Sequence, residues 1–233
     1  MNPETLVPRF EAVIFDMDGL VLDSEACYVQ AWKHATAEFG VHLDDPFYHD
    51  LFGRHADDVM QAFRKKIGER FDRQRFQELA AGHWQDYVYR HGIDKMPGLD
   101  EMLDTLDRLA IPYVLATNSD GPYARQCLSL ARVAARFPRI VTRDEVERGK
   151  PEPDLFLEAA RRMATDPVAC LVLEDSLTGL LAARAAGMPA ILVLNKPAPM
   201  VLKRLADFVF PSLKEVASAI TNAIRPTRST AKT

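Results

Sequence analysis

Short, unbroken apolar runs, spaced by stretches of helical period, constrain the fold of this chain more than any other feature. Ala12 to Phe15, Tyr113 to Ala116, Leu171 to Leu173 and Ala190 to Leu194 are continuous rather than alternating. A strand reads that way when both of its faces are covered, as in a parallel sheet. Ile140-Val141 and Phe208-Val209 are weaker runs of the same kind. Helical patterns lie among them, at Leu99 to Leu109, Tyr123 to Arg132, Asp154 to Met163, Ser176 to Ala186 and Ala198 to Ala206. Strand and helix thus alternate from Leu99 onward. That order predicts right-handed βαβ crossovers and an α/β fold with a Rossmann-like parallel sheet at its core.

The segment from Asp23 to Met96 breaks the alternation. It has helical period at Glu25 to Phe39, His55 to Ile67 and Asp72 to His91, with Val41 to Pro46 and Gly68 to Asp72 as connections. No buried strand interrupts it, and most of the aromatic residues fall in it. It reads as an all-helical insert of residues 23–96 in an α/β core built from residues 1–22 and 97–233, with Gly92 and Pro97-Gly98 marking the return. Apolar residues make up 48% of the 233, enough to fill such a core.

Charge and cysteine usage narrow the class. Lys and Arg total 29 against 33 Asp and Glu, a net charge of -4, which gives no reason to expect a nucleic-acid or anionic-membrane partner. No protein partner is evident either. Cys27, Cys127 and Cys170 are odd in number and far apart, unlike a disulfide framework or a zinc cluster, and a cytoplasmic location is expected. Met1 to Glu11 lacks the apolar stretch of a signal peptide, no run reaches the ~18 apolar residues of a membrane span, and Pro226 to Thr233 reads as a frayed polar tail.

In an open α/β sheet the ligand sits beyond the C-terminal ends of the strands. Asp16-Met17-Asp18-Gly19 follows the first run, Thr117-Asn118-Ser119 the second, and Glu174-Asp175-Ser176 the run at Leu171. Gly149-Lys150-Pro151 occupies a loop between them. Four polar clusters at strand exits or an adjoining loop can converge on one point.

Asp16, Asp18 and Asp175 would repel one another without a cation among them, and their oxygen ligands suit a hard ion such as Mg2+ rather than zinc. Taken alone, Asp-x-Asp also serves turns and helix caps. A carboxylate can itself be the nucleophile that forms an aspartyl-phosphate. It is ionised near a pKa of ~4 and needs no base, provided that a metal offsets its repulsion from the phosphate. A second carboxyl then protonates the leaving alkoxide and later takes a proton from water. Thr117 can hold a phosphoryl oxygen together with the following backbone N–H groups, or can cap a helix. Lys150, fixed between Gly149 and Pro151, can present a point charge to a phosphate or an aspartate, or can be a solvated surface lysine.

These clusters, in this order, resemble the haloacid dehalogenase superfamily of phosphohydrolases. Val13 to Gly19 with Asp23-Ser24 resembles its first motif, and Leu115 to Ser119 its second. Gly149 to Asp154 resembles the third, and Leu173 to Ser176 with Gly179 the fourth. The resemblance implies that the insert is the small helical cap of the subfamily that includes β-phosphoglucomutase, phosphoglycolate phosphatase and sugar-phosphate phosphatases. It implies Asp16 as nucleophile and Mg2+ ligand, and Asp18 as acid/base with its backbone carbonyl on the metal. Thr117 and Asn118 would bind the transferring phosphoryl, and Lys150 would neutralise charge. Asp175 would ligate the metal, and Glu174 would act directly or through water. The dehalogenases are set aside because they typically lack the second aspartate.

The mutase branch carries a histidine ten residues after that second aspartate, where Tyr28 stands here. It also presents an arginine three residues past a cap glycine, where Ala56 follows Gly53. The first motif looks more like the branch containing pseudouridine 5'-phosphatase. Arg54, next to Gly53, is the cap residue best suited to bind the rest of the substrate. The expected activity is therefore Mg2+-dependent hydrolysis of a small phosphomonoester. A phosphomutase and a non-catalytic binding module on the same scaffold are the alternatives.

Overall fold

Why the apolar runs are continuous is plain from the sheet they build. The computed structural model describes residues 9–52 and 56–224. Strands β1 (Ala12–Phe15), β2 (Tyr113–Ala116), β3 (Ile140–Val141), β4 (Cys170–Glu174), β5 (Ala190–Val193) and β6 (Phe208–Phe210) form one sheet. Their order is β3-β2-β1-β4-β5-β6, and every neighbouring pair is parallel. All four residues of β1 are fully buried. At the edge, the middle residue of β6, Val209, is exposed. Ile14, Val114, Val141, Val172 and Leu192 from five strands share one core with Leu155, Phe156, Leu180 and Ala183 from two helices.

Those helices are α7 (Asp154–Met163) and α8 (Leu177–Ala185). The others of the α/β part are α5 (Leu99–Arg108), α9 (Met200–Lys203) and α10 (Leu213–Ile224); α6 (Gly121–Leu130) follows β2 in the chain. Three of these helices differ from the sequence expectation. The stretch expected from Ala198 to Ala206 is only the four-residue α9, because Pro199 precedes it and Leu205 and Ala206 both close back onto the Leu202 carbonyl. Helix α6 begins two residues early and ends before Arg132, whose φ of 58° takes the chain out of the helical region. Helix α10 was not expected, although Leu213, Val216, Ala217 and Ile220 bury one face at helical spacing.

By their internal contacts the residues group into two compact units. One holds the chain up to Val21, Met96–Gly121 and everything from Arg136 onward. Where this unit's chain leaves and returns, Met96 donates its N–H to the carbonyl of Val21. The other unit holds Leu22–Lys95 and Pro122–Ala135. It contains α1 (Ser24–Glu38), α2 (Asp45–His49), α3 (Ala56–Ile67) and α4 (Arg73–His91). Its core is aromatic: Phe63 and Phe76 have ring centroids 4.4 Å apart, and the Tyr48 hydroxyl pairs with Thr36 Oγ1 at 2.7 Å. Pro122–Ala135 belongs with this unit partly through Tyr123, whose ring lies 5.4 Å from Trp84 and whose hydroxyl meets that of Tyr28 at 3.1 Å. Helix α2, whose first two residues fall in the expected connection Val41 to Pro46, is five residues long and too short to leave a periodic pattern. Among the described residues no helix is long and apolar enough to cross a membrane.

Candidate active site

Strand β1 lies between β2 and β4, and the chain passes from β3 on one side of it to β4 on the other. This reversal opens a crevice at the C-terminal ends of the central strands. Asp16 is the first residue past β1 and Thr117 the first past β2, while Glu174 ends β4 and Asp175 follows it. Phe15 pairs with Leu115 on one side and Leu173 on the other, so the sheet register brings these ends level. The Asp16 N–H donates to the Leu173 carbonyl at 3.1 Å.

Lys150 enters from the loop before α7. Its side chain is only 2% exposed, and its Nζ donates to both Asp16 Oδ1 and Glu174 Oε1, the latter at 2.8 Å. The ammonium also lies 4.8 Å from the ring centre of Phe156, on the first turn of α7. Asn118 brackets the Lys150 backbone: Oδ1 accepts its N–H and Nδ2 donates to its carbonyl. A side chain on Gly149 would overlap both Asn118 Oδ1 and Arg143, so this approach requires glycine.

The Asp18 carboxylate turns to β2's exit, where Oδ2 accepts from Ser119 Oγ at 3.0 Å. Thr117 Oγ1 accepts the Ser119 N–H at 3.0 Å, and Thr117 is buried. It does not cap α6, whose Gly121 N–H goes to Asp144 Oδ1 instead. Gly19 has a φ of 85°, and a side chain there would fall on the Asp175 carboxylate.

One ligand atom each from Asp16, Glu174 and Asp175 lie within 4.8 Å of one another. Burial raises the Asp16 pKa to about 8, with Lys150 pulling it down and Glu174 and Asp18 adding repulsion. For Lys150, burial opposes the charge, but Asp16 and Glu174 more than offset it, so the net shift is upward. Ionising Asp16 beside the buried Glu174 is therefore costly with a single ammonium between them. That cost, with an all-oxygen donor set, fits a hard divalent cation such as Mg2+.

The structure thus brings Asp16, Thr117, Asn118, Lys150, Glu174 and Asp175 to one edge, with Asp18 directed to Ser119. Arg54 lies outside the described residues. Sequence reasoning missed Ser119 as the partner of Asp18 and Asn118 as the holder of Lys150. Both pairings cross from one strand exit to another element, and no local pattern encodes them.

The chain was compared with known proteins. A family model described as "Haloacid dehalogenase-like hydrolase" matches residues 13–193. Hexitol phosphatase A of Escherichia coli (strain K12) is 30% identical over 89% of this chain and 94% of its own length. Beta-phosphoglucomutase of Bacillus subtilis (strain 168) is 27% identical over 88% of this chain and 94% of its own. Among solved structures, a HAD family hydrolase from Deinococcus radiodurans R1, with bound phosphate and sodium, superposes with a TM-score of 0.78 at 28% identity. It covers 92% of this chain and 96% of its own.

Proposed function

The chain belongs to the haloacid dehalogenase-like hydrolase family, and from that premise we propose that it is a phosphatase, one that hydrolyses a small phosphomonoester of the sugar-phosphate class through a phosphoryl group carried on Asp16. The observation that carries this reading is the ammonium of Lys150, buried between the Asp16 and Glu174 carboxylates at the sheet's switch point. A buried carboxylate with a fixed cation on one oxygen is oriented for attack, and its partner holds it there through the reaction.

Asp16 and Asp175 would hold Mg2+, with the backbone carbonyl of Asp18 and with Glu174 directly or through water. Bound there, the ion would offset negative charge on the phosphoryl group. In the first half-reaction an Asp16 oxygen bonds to phosphorus and the bond from phosphorus to the leaving oxygen breaks. Asp18, held by Ser119, gives its proton to that oxygen. In the second half, Asp18 takes a proton from water, the water oxygen bonds to phosphorus, and the bond to Asp16 breaks. Thr117 and the backbone of Asn118 receive the phosphoryl oxygens, and Lys150 balances their charge. The choice of ester is assigned to the helical insert, on its resemblance to the small cap of the family. None of Cys27, Cys127 and Cys170 is bridged and all are buried, which fits a reducing cytoplasm as the place of action.

A second reading, phosphomutase, is supported by the similarity to beta-phosphoglucomutase. Product analysis separates the two over a panel of sugar phosphates. The phosphatase reading expects stoichiometric inorganic phosphate; an isomeric sugar phosphate with no phosphate release would replace it with the mutase. Absence of turnover on every ester, including p-nitrophenyl phosphate, would leave a binding module.

A further inference from the structure

The buried carboxylate of Glu174 occupies the space where a side chain at position 179 would begin. A Cβ on Gly179 would overlap the carboxyl carbon and both oxygens of Glu174. Gly179 lies inside α8, two residues past its first. Alanine is the better helix former at such a position, so helix propensity alone favours a methyl there. The packing forbids it.

The same carboxylate is anchored by the start of α8. Glu174 Oε2 accepts the N–H of Asp175 and the N–H of Ser176, each at 2.9 Å, and the Ser176 hydroxyl at 2.8 Å. Ser176 is the N-cap, and its Oγ accepts the Gly179 N–H at 3.1 Å. The orphan N–H groups of a helix start stabilise a carboxylate placed on them. With Oε2 so occupied, Oε1 is the oxygen turned to Lys150 at 2.8 Å. Lys150 in turn grips Asp16.

We infer that Gly179 is a positioning residue for phosphoryl transfer: the volume it leaves empty seats the Glu174 carboxylate, which sets Lys150 against Asp16. The inference rests on the phosphatase reading of the site for its kinetic consequence, but its structural half stands on packing alone. Gly179→Ala would drive the carboxylate off the helix start and move Lys150, and displacement of a catalytic group by about 1 Å costs on the order of 100-fold.

The test is a double-mutant cycle between Gly179→Ala and Glu174→Ala, read in kcat on p-nitrophenyl phosphate and in Tm. In the wild-type background Gly179→Ala should lower kcat by roughly 100-fold and lower Tm. In the Glu174→Ala background, with no carboxylate to displace, it should leave the residual kcat unchanged and raise Tm by about 2–4 °C through helix propensity. Equal losses in both backgrounds, or a Gly179→Ala enzyme with wild-type kcat, would overturn the inference. If Gly179→Ala does not fold, a folded double variant supports the inference and an unfolded one overturns it. A wild type that releases no phosphate would remove the phosphatase reading, while the Tm cycle would still decide the packing relation.

Discussion

Asn118 grips Lys150 by its backbone at both ends: Oδ1 accepts the Lys150 N–H at 2.8 Å, and Nδ2 donates to the Lys150 carbonyl at 3.1 Å. The side-chain amide is therefore tied to the loop through both its oxygen and its nitrogen. Asn118→Ala should reduce kcat by about 10–100-fold, as expected for a misplaced charge, with a stability loss of roughly 1–3 kcal/mol for two part-buried hydrogen bonds. Asn118→Asp should be no better, because a carboxylate faces the Lys150 carbonyl where the amide donated. Steady-state kinetics and urea unfolding of both variants check this; an Asp variant with full activity would contradict it.

Asp16→Asn should abolish turnover while leaving the fold intact. The amide is nearly the same size but is a poor nucleophile and a poor ligand for a hard cation. Phosphate release above about a hundredth of wild type would exclude Asp16 as the covalent nucleophile. Mass spectrometry of acid-quenched wild type should find the phosphoryl group on the peptide containing Asp16.

Metal removal should silence the enzyme. The carboxylates of Asp16, Glu174 and Asp175 offer oxygen only, so activity lost to EDTA should return with Mg2+ and hardly at all with Ca2+, whose looser coordination misplaces the nucleophile. Mg2+ should also raise the Tm of the wild type, by binding the folded state alone, and should do so much less for Asp175→Asn. Full activity in EDTA would refute the metal's role.

Lys150→Met tests the buried charge balance. In EDTA it leaves Asp16 and Glu174 facing one another without their cation, which should cost roughly 3–5 kcal/mol. The pH dependence follows from Asp16, whose carboxyl is already raised from 3.8 to about 8 by burial. A group raised in the folded state stabilises it at low pH, and that stabilisation is lost as pH rises through the folded value. Without Lys150 the ionised form is costlier still. The variant's deficit should therefore stay level below about pH 8, where Asp16 is protonated in both proteins, and grow above it. A deficit that does not grow above about pH 8 would mean that Asp16 gains nothing from the Lys150 charge.

Arg54, on the sequence alone, is the cap residue proposed to hold the non-reacting part of the substrate. Arg54→Ala should weaken kcat/KM for a sugar phosphate at least 10-fold more than for p-nitrophenyl phosphate, which has little for a cap to bind. Equal losses on both would assign it to the chemistry or the fold instead.

The sequence by itself determined the sheet and the chemistry of its edge. The apolar runs of β1 and β2 end where their strands end, because a fully covered strand admits no polar residue until it leaves the sheet. Asp16, Thr117, Glu174 and Asp175 sit at or beside those breaks, so their convergence followed from strand order and the parallel topology. What the sequence could not decide is which polar group meets which. Asn118 reaches a lysine 32 residues away, Ser119 an aspartate 101 residues away, and Glu174 the empty place of a glycine on the next helix. Those pairings depend on ångström-scale separations between elements, which packing of the whole core fixes and no local periodicity records.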